Sequence, residues 1–411
     1  GARGLPRVTG AFRRGRDPVT DPQDPRNGSC TGPTVVYCRH DRPERTWSGH
    51  APRRNQPVTS RTRQVVLSGL ALAGTVAVLA GCASAPSTTD TAKKTDFRPC
   101  MVSDAGGFDD KSFNQLGYEG MKDAAKDLGA TYKEAESKDA TVYDSNIEQL
   151  IGQNCNLVVT VGFNLADATK KQAAANPDTD FAIIDDNSID AKNVKPITFD
   201  TSQAAFLAGY AAASYSKTGV VGTFGGMQIP TVTIFMDGFA DGVKYFNEQK
   251  KKDVKVVGWD VDSQKGSFTG GFDAGTQAKA VAQTLLDQDA DVILPVGGPI
   301  YQSAAEAIKD ADNGSVLIGA DSDLYEADPR YKDIAFTSVE KGMRPAVKDV
   351  VEQAADDKFS KDPYVGTLEN DGVGIAPFHD FESKVDKGLQ GELDDVKAGI
   401  IDGSIKVKTQ S

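Results

Sequence analysis

PCMVSDAGGFDDKSFNQLGYEGMKDAAKDLG, residues 99–129, holds a strand, a loop and a helix in that order. Residues 99–104 are a short apolar run that ends on Ser103 and Asp104, which predicts a buried strand with polar groups at its exit. Gly106 and Gly107 then allow a tight turn. Asp109 or Ser112 can cap the helix predicted over 112–129, and Gly129 closes it. A buried strand followed by a helix of this length is the opening half of a βαβ unit.

The same alternation runs outward from this stretch. Strands are predicted at 130–137, 156–162, 179–186 and 194–200, with helices at 144–154 and 164–177 between them. At Thr201 the pattern restarts with an Ala-rich helix, 202–216. Strands follow at 217–226, 254–260, 292–298, 315–321 and 334–341, and helices at 234–249, 271–288, 300–311 and 343–356. Beyond residue 360 the reading gives short strands, GVGIAPF and GSIKVKT. Strands separated by helices of such length make parallel sheets covered on both faces. Two sets imply an α/β protein of two lobes, the first 97–200 plus about 322–355, the second 201–321 plus about 356–411. Ligands of open α/β sheets sit outside the carboxyl ends of the strands, so the strand-end residues are the ones to weigh.

What precedes residue 97 is of a different kind. Residues 1–57 are rich in Arg and Pro and show no apolar periodicity; they are expected to be upstream sequence, with translation beginning at Val58. Residues 58–81 read as a secretory signal: Arg61 and Arg63, the uncharged run 65–80, then the lipobox LAGC ending at Cys82. A run of 16 residues is short for a span of about 20. Cys82 is therefore the expected lipidation site, and two acyl chains suffice for stable anchoring on the outer face of the cell membrane. Residues 82–96 are small and polar and predict a flexible tether.

Composition limits the chemistry. Residues 1–81 hold 13 Lys+Arg against 5 Asp+Glu, and the rest 33 against 53. An acidic body lacks the basic surface that nucleic-acid phosphates require. Of three His, only His379 falls within the expected folded part, so a His-based catalytic group has one possible centre. Neither a cofactor nor a metal site is expected, because no Cys/His spacing suits one. Cys100 and Cys155 could bridge across neighbouring strands or remain two buried thiols.

Among the strand-end residues, Phe113 and Asn114 follow the loop after Asp104. A phenyl ring and a two-sided amide suit a flat heterocycle, although core packing and capping explain them equally well. Phe268, in KGSFTGGFDAG, offers a second ring from the other lobe. Asp321 ends the strand SVLIGAD and is an acceptor for a sugar diol. Lys341 ends the next strand and could donate to ribose oxygens or pair with Asp321. Gly297 and Gly298 mark close approach of backbone to the cleft. The doublet Gly106–Gly107 is no phosphate loop, as it fits neither GxGxxG nor GxxxxGK[ST].

These strings, DAGGFDDKSFNQ above all, resemble the basic membrane lipoprotein family of purine-nucleoside receptors, the substrate-binding proteins of ABC importers. The resemblance covers essentially all of 97–411. It implies the type I periplasmic binding protein fold: two Rossmann-like lobes with parallel sheets, joined by a three-stranded hinge. It also implies a monomer that catalyses nothing, holds a purine nucleoside between its lobes and delivers it to membrane permease subunits. The implied ligand-binding residues are Asp104, Phe113, Asn114, Phe268, Gly297 or Gly298, Asp321 and Lys341, with Asp185 or Asp186 as a further base-binding carboxylate. GADSDL departs from the family string at Leu324, where Gln is usual. Other expectations compatible with the residues are a receptor for a sugar or autoinducer, a nucleoside hydrolase, and a surface antigen with a vestigial cleft.

Overall fold

A computed structural model describes residues 96–409. The expected leader, signal segment, tether and Cys82 lie outside the described residues, except for Asp96.

The first sheet is laid down by β1 (Pro99–Val102), β2 (Lys133–Ala135), β3 (Leu157–Val161), β4 (Asp180–Ile184) and β5 (Val194–Phe199). Between them run α1 (Phe113–Leu128), α2 (Tyr143–Ile151) and α3 (Ala166–Ala175). β3 and β4 are buried along their whole length or nearly so, as parallel strands covered on both faces must be. α4 (Thr201–Tyr215) then opens the second lobe, followed by β6 (Val220–Gly225), α5 (Pro230–Lys250), β7 (Lys255–Val257) and the two-stranded ribbon β8 (Trp259–Asp260) and β9 (Lys265–Gly266). α6 (Thr276–Leu286), β10 (Val292–Val296), α7 (Ile300–Ala311), β11 (Val316–Asp321), the single turn α8 (Leu324–Ala327) and β12 (Ala335–Lys341) complete its parallel part. The chain ends through α9 (Met343–Ala355), β13 (Tyr364–Gly366), β14 (Val373–Ile375) and α10 (Leu389–Ile401).

The sheet orders are β13-β5-β4-β3-β1-β2 and β14-β12-β11-β10-β6-β7. Every pairing within them is parallel except β12 with β14. Sheet membership fixes three crossings between lobes: β5 to α4, β12 to α9, and β13 to β14. The return to the first lobe comes later than the reading at residue 322 placed it. α8 is too short to leave the second lobe, and β12 pairs with β11 there. Only α9, packed on α1, and β13, paired with β5, belong with the first sheet.

α4 is the structural base of the second lobe. Twelve of its fifteen residues are buried, so it has no polar face. It lies so close to α5 that a Cβ on Gly209 would stand 2.1 Å from Phe239 O, and one on Gly242 2.1 Å from Phe206 O. Glycine at both positions is what lets the two helices meet at backbone distance. One local expectation changes, and one left open is decided. GSIKVKT forms no strand, and the segment before it is α10, whose Leu389, Leu393, Val396 and Ile400 are buried along one face. Cys100 and Cys155 are bonded, with Cα atoms 5.9 Å apart; the bridge ties β1 to the approach of β3.

Candidate functional site

The largest convergence of strand ends lies between the lobes. Asp104 follows β1, Gly162 follows β3, Asp185 follows β4, Gly297 follows β10, Asp321 ends β11 and Lys341 ends β12, and all six line one cavity. Parallel strands point their carboxyl ends the same way, so side chains leaving those ends converge without further design. Of the residues expected at the site, Phe113, Asn114 and Gly298 also line it.

Lys341 is its electrostatic centre. It is 6% exposed, its Nζ lies 2.5 Å from Asp185 Oδ2 and 3.4 Å from Asp321 Oδ1, and so it joins the two lobes. Burial works against its charge, but the two carboxylates outweigh that and hold its pKa above the usual lysine range. Burial pushes Asp185 upward, against the pull of Lys341. Asp185 and Asp321 both sit in the left-handed backbone region, at φ 60° and 70°. That conformation is uncommon away from glycine and costs energy that surrounding structure must offset. The rings of Phe113 and Phe235 lie 5.0 and 5.2 Å from Lys341 Nζ, within cation–π reach.

The first loop is organised by Asp110, not by Asp109 or Ser112 as expected. Its carboxylate accepts from the backbone N–H of Ser112, Asn114 and Gln115 at 3.0, 2.8 and 3.1 Å and so caps α1. Asn114 is largely committed inside the protein. Its Nδ2 donates to Asp104 Oδ1 at 2.7 Å and to Asp110 Oδ2 at 3.0 Å, and its Oδ1 accepts from Asp104 N at 3.1 Å. Both amide hydrogens are spent, so Asn114 cannot donate along a base edge; it positions Asp104 instead. Burial raises the pKa of Asp104, against hydrogen bonds from Gly106 and Asn114. The bonds Asp104 accepts fall on Oδ1, which leaves Oδ2 for a ligand.

Phe268 does not line the cavity. Residues 267–270 run beside the end of β6: Gly225 N donates to Ser267 O, Thr269 N to Gly225 O and Gly270 N to Gly226 O. This extra bridge turns Phe268 against Trp259, edge to face at 5.8 Å, in a niche that Gly225 leaves open. The second lobe's ring at the cavity is Phe272, in a loop, because α6 begins at Thr276 and not at 271. Gly297, at φ 122°, lies against it; a Cβ there would meet the Phe272 ring at 2.6 Å. No local signal in the sequence selects Phe272: GGFD occurs at both 106–109 and 270–273, but Phe108 of the first copy stacks on Tyr118 and does not line the cavity. Sequence reading also missed Phe163, Phe235 and Asp273, which complete the wall. Asp186 lies off this cavity, on the hollow beside it.

The cavity thus offers aromatic rings from both lobes, five carboxylates (Asp104, Asp110, Asp185, Asp273, Asp321) and one ammonium. Such a site suits a flat neutral molecule with hydroxyl or amino donors and disfavours an anion. Among the described residues, no group of three or more His, Cys, Asp or Glu is disposed to hold a metal, and no helix is long and apolar enough to cross a membrane.

Residues 97–411 match the family profile described as ABC transporter substrate-binding protein PnrA-like. A nucleoside-binding protein of an ABC transporter from Lactococcus lactis is 32% identical over 368 residues, covering 85% of this chain and all of the relative. Basic membrane protein A of Borreliella burgdorferi is 29% identical over 309 residues, 74% of this chain and 85% of the relative. Among solved structures, a solute-binding protein of an ABC transporter system from Aeropyrum pernix superposes with a TM-score of 0.68 at 24% identity, covering 77% of this chain and 94% of the other. An arabinose-binding protein from Geobacillus stearothermophilus shares the fold at a TM-score of 0.53 and 16% identity, covering 71% of this chain and all of the other.

Proposed function

The chain belongs to the PnrA-like family of ABC transporter substrate-binding proteins, and from there we propose that its ligand is a purine nucleoside held in the interlobe cavity. It is the binding component of an importer, not an enzyme, and its partner is a membrane permease. The observation that carries the nucleoside reading is the composition of the cavity wall. Rings from both lobes, Phe113 and Phe272, share it with acceptor-only carboxylates and a single buried ammonium. The rings suit a base. Asp321 and Lys341 lie 3.4 Å apart and suit a ribose, whose hydroxyls can donate to the first and accept from the second. The name of the Lactococcus relative supports the same choice. The scarcity of positive charge argues against nucleotides.

Closure of the lobes on the ligand excludes water from these groups, and the closed form is the one the permease selects. The lipid on Cys82 would hold the receptor at the outer face of the membrane, within reach of that permease. Titration calorimetry with adenosine, guanosine, inosine and their bases tests the ligand. Asp321→Ala should weaken nucleoside binding at least tenfold, about 1.4 kcal/mol, since a buried donor left without its acceptor costs about 1–3 kcal/mol. A sugar that binds where no nucleoside does would reject the reading.

A further inference from the structure

We propose that the ligand cleft continues into a second compartment, which takes a neutral hydrogen-bonding substituent carried on the sugar end of a nucleoside. A second hollow adjoins the cleft and shares Phe163, Asp185, Ile229, Thr231 and Lys341 with it. The shared pair, Asp185 and Lys341, includes the ammonium assigned above to the sugar, so a group extending from the sugar past that pair enters this hollow. The inference therefore rests on the nucleoside reading.

Three features of the hollow point to an occupant. Thr201 lines it and is fully buried, yet its Oγ1 has no hydrogen-bond partner. A buried hydroxyl without a partner costs about 1–3 kcal/mol, which a polar group bound in the hollow would relieve once the Thr201 side chain turns its hydroxyl toward it. Two helices begin here, α4 at Thr201 and α5 at Pro230, and neither has a side-chain cap. Their first turns therefore present the positive ends of two helix dipoles to the hollow. The remaining wall is mixed, with Phe199, Ile234 and Pro230 on the apolar side and Asp186, Asn187 and Ser188 on the polar side.

The charge balance decides the class of substituent. Asp185 and Asp186 both line the hollow, and its one cation, Lys341, is already bonded to Asp185 and faces Asp321. A phosphate would gain from the two helix starts but would meet two carboxylates and no uncommitted cation among the lining residues. An amide, ether or hydroxyl group meets donors at the helix starts, an acceptor at Asp186 and apolar walls for its carbon.

Calorimetry on the whole protein tests this with defined probes. The parent is whichever of adenosine, guanosine or inosine binds. It is compared with its 5′-N-ethylcarboxamide, its 2′-O-methyl and 3′-O-methyl derivatives and its 5′-monophosphate. At least one neutral derivative should bind fivefold or more tightly than the parent, and the monophosphate at least tenfold more weakly. Thr201→Val should abolish the derivative's gain and leave the parent's affinity within twofold. If the parent binds but no neutral derivative is tighter, the hollow holds water only and the compartment is rejected while the nucleoside reading stands. A monophosphate tighter than the parent rejects the neutral class. If no parent binds, both readings fall. Should Thr201→Val not fold, the comparison of ligands on the unaltered protein decides alone.

Discussion

Replacing Lys341 by Met tests the charge arrangement on which the cleft is built. The substitution keeps chain length and removes the ammonium from between Asp185 and Asp321, 2.5 and 3.4 Å away. All three residues are less than a tenth exposed, so water from the cavity replaces the lost partner only in part. Taking one member from a buried ion pair costs about 3–5 kcal/mol. The nearby Phe113 and Phe235 rings accept a thioether and return part of that, so a loss of about 3 kcal/mol is expected at pH 7. The pH dependence is the sharper part. Asp185 already has a folded-state pKa above its ordinary value of 3.8, because of burial, and Lys341 opposes that rise. Without Lys341 the value climbs further. A carboxyl whose folded pKa is raised adds stability below its unfolded value and loses it as pH rises through the folded value. The variant should therefore be weakest at neutral pH and recover as pH is lowered and Asp185 takes up its proton, so that the deficit at pH 4 is clearly smaller than at pH 7. Urea unfolding of the ligand-free protein, followed by far-UV circular dichroism at pH 7 and pH 4, measures both quantities. A loss under about 1 kcal/mol at pH 7, or a deficit equal at the two pH values, would refute the reasoning.

Phe272→Ala should weaken nucleoside binding about tenfold with little change in melting temperature, whereas Phe268→Ala should leave affinity nearly intact and cost about 3 kcal/mol of stability; paired calorimetry and melting curves separate the two. Nucleoside affinity should fall as pH is lowered below neutral, and at a higher pH than an ordinary carboxylate would dictate, because burial raises the Asp104 carboxyl and its protonated form loses an acceptor; a flat calorimetric profile would remove Asp104 from the site. Cys100→Ser with Cys155→Ser opens a covalent loop of separation 55, worth about 4 kcal/mol by chain entropy, so the double variant should melt lower than the oxidised protein and equally with or without reductant.

The alternation of strands and helices was legible because buried parallel strands and amphipathic helices leave unlike periods in the chain. Asp104, Asp321 and Lys341 were legible for a related reason: a polar residue at the end of an apolar run has nowhere to go but the cleft rim. Phe268 and Phe272 were not separable in that way. They are four residues apart in one glycine-rich loop, and which of them faces the cavity depends on three backbone hydrogen bonds to Gly225 and Gly226, a contact across more than 40 residues of chain that no local pattern records. Asn114 was misread for the opposite reason. Its place was right, but the buried Asp110 beside it claims the amide, and burial of that carboxylate is a tertiary fact. The late return to the first lobe depends likewise on β12 finding β11. α10 carried a readable face in Leu389, Leu393, Val396 and Ile400, diluted by Gly391 and Gly399.

In the proposed function, Asp185 and Asp321 connect the fold to its work. One follows β4 of the first lobe and the other ends β11 of the second, both in left-handed backbone, and both face Lys341. Each conformation costs on the order of 1 kcal/mol or more, a cost that an aspartate contributing only to packing would not justify. Lys341 ends β12 just before a crossing between lobes, so its position follows the hinge. In this conformation the lysine bonds the first lobe's Asp185 more closely than its own lobe's Asp321. A ribose arriving between them would supply donors to both carboxylates at once and release the lysine from holding them alone. The ligand then stabilises the same approach of the lobes that the ion pair now supports. That is the condition a receptor needs if closure is to report occupancy: contacts that differ in strength between the open and closed forms, and a ligand that joins them only when the lobes meet.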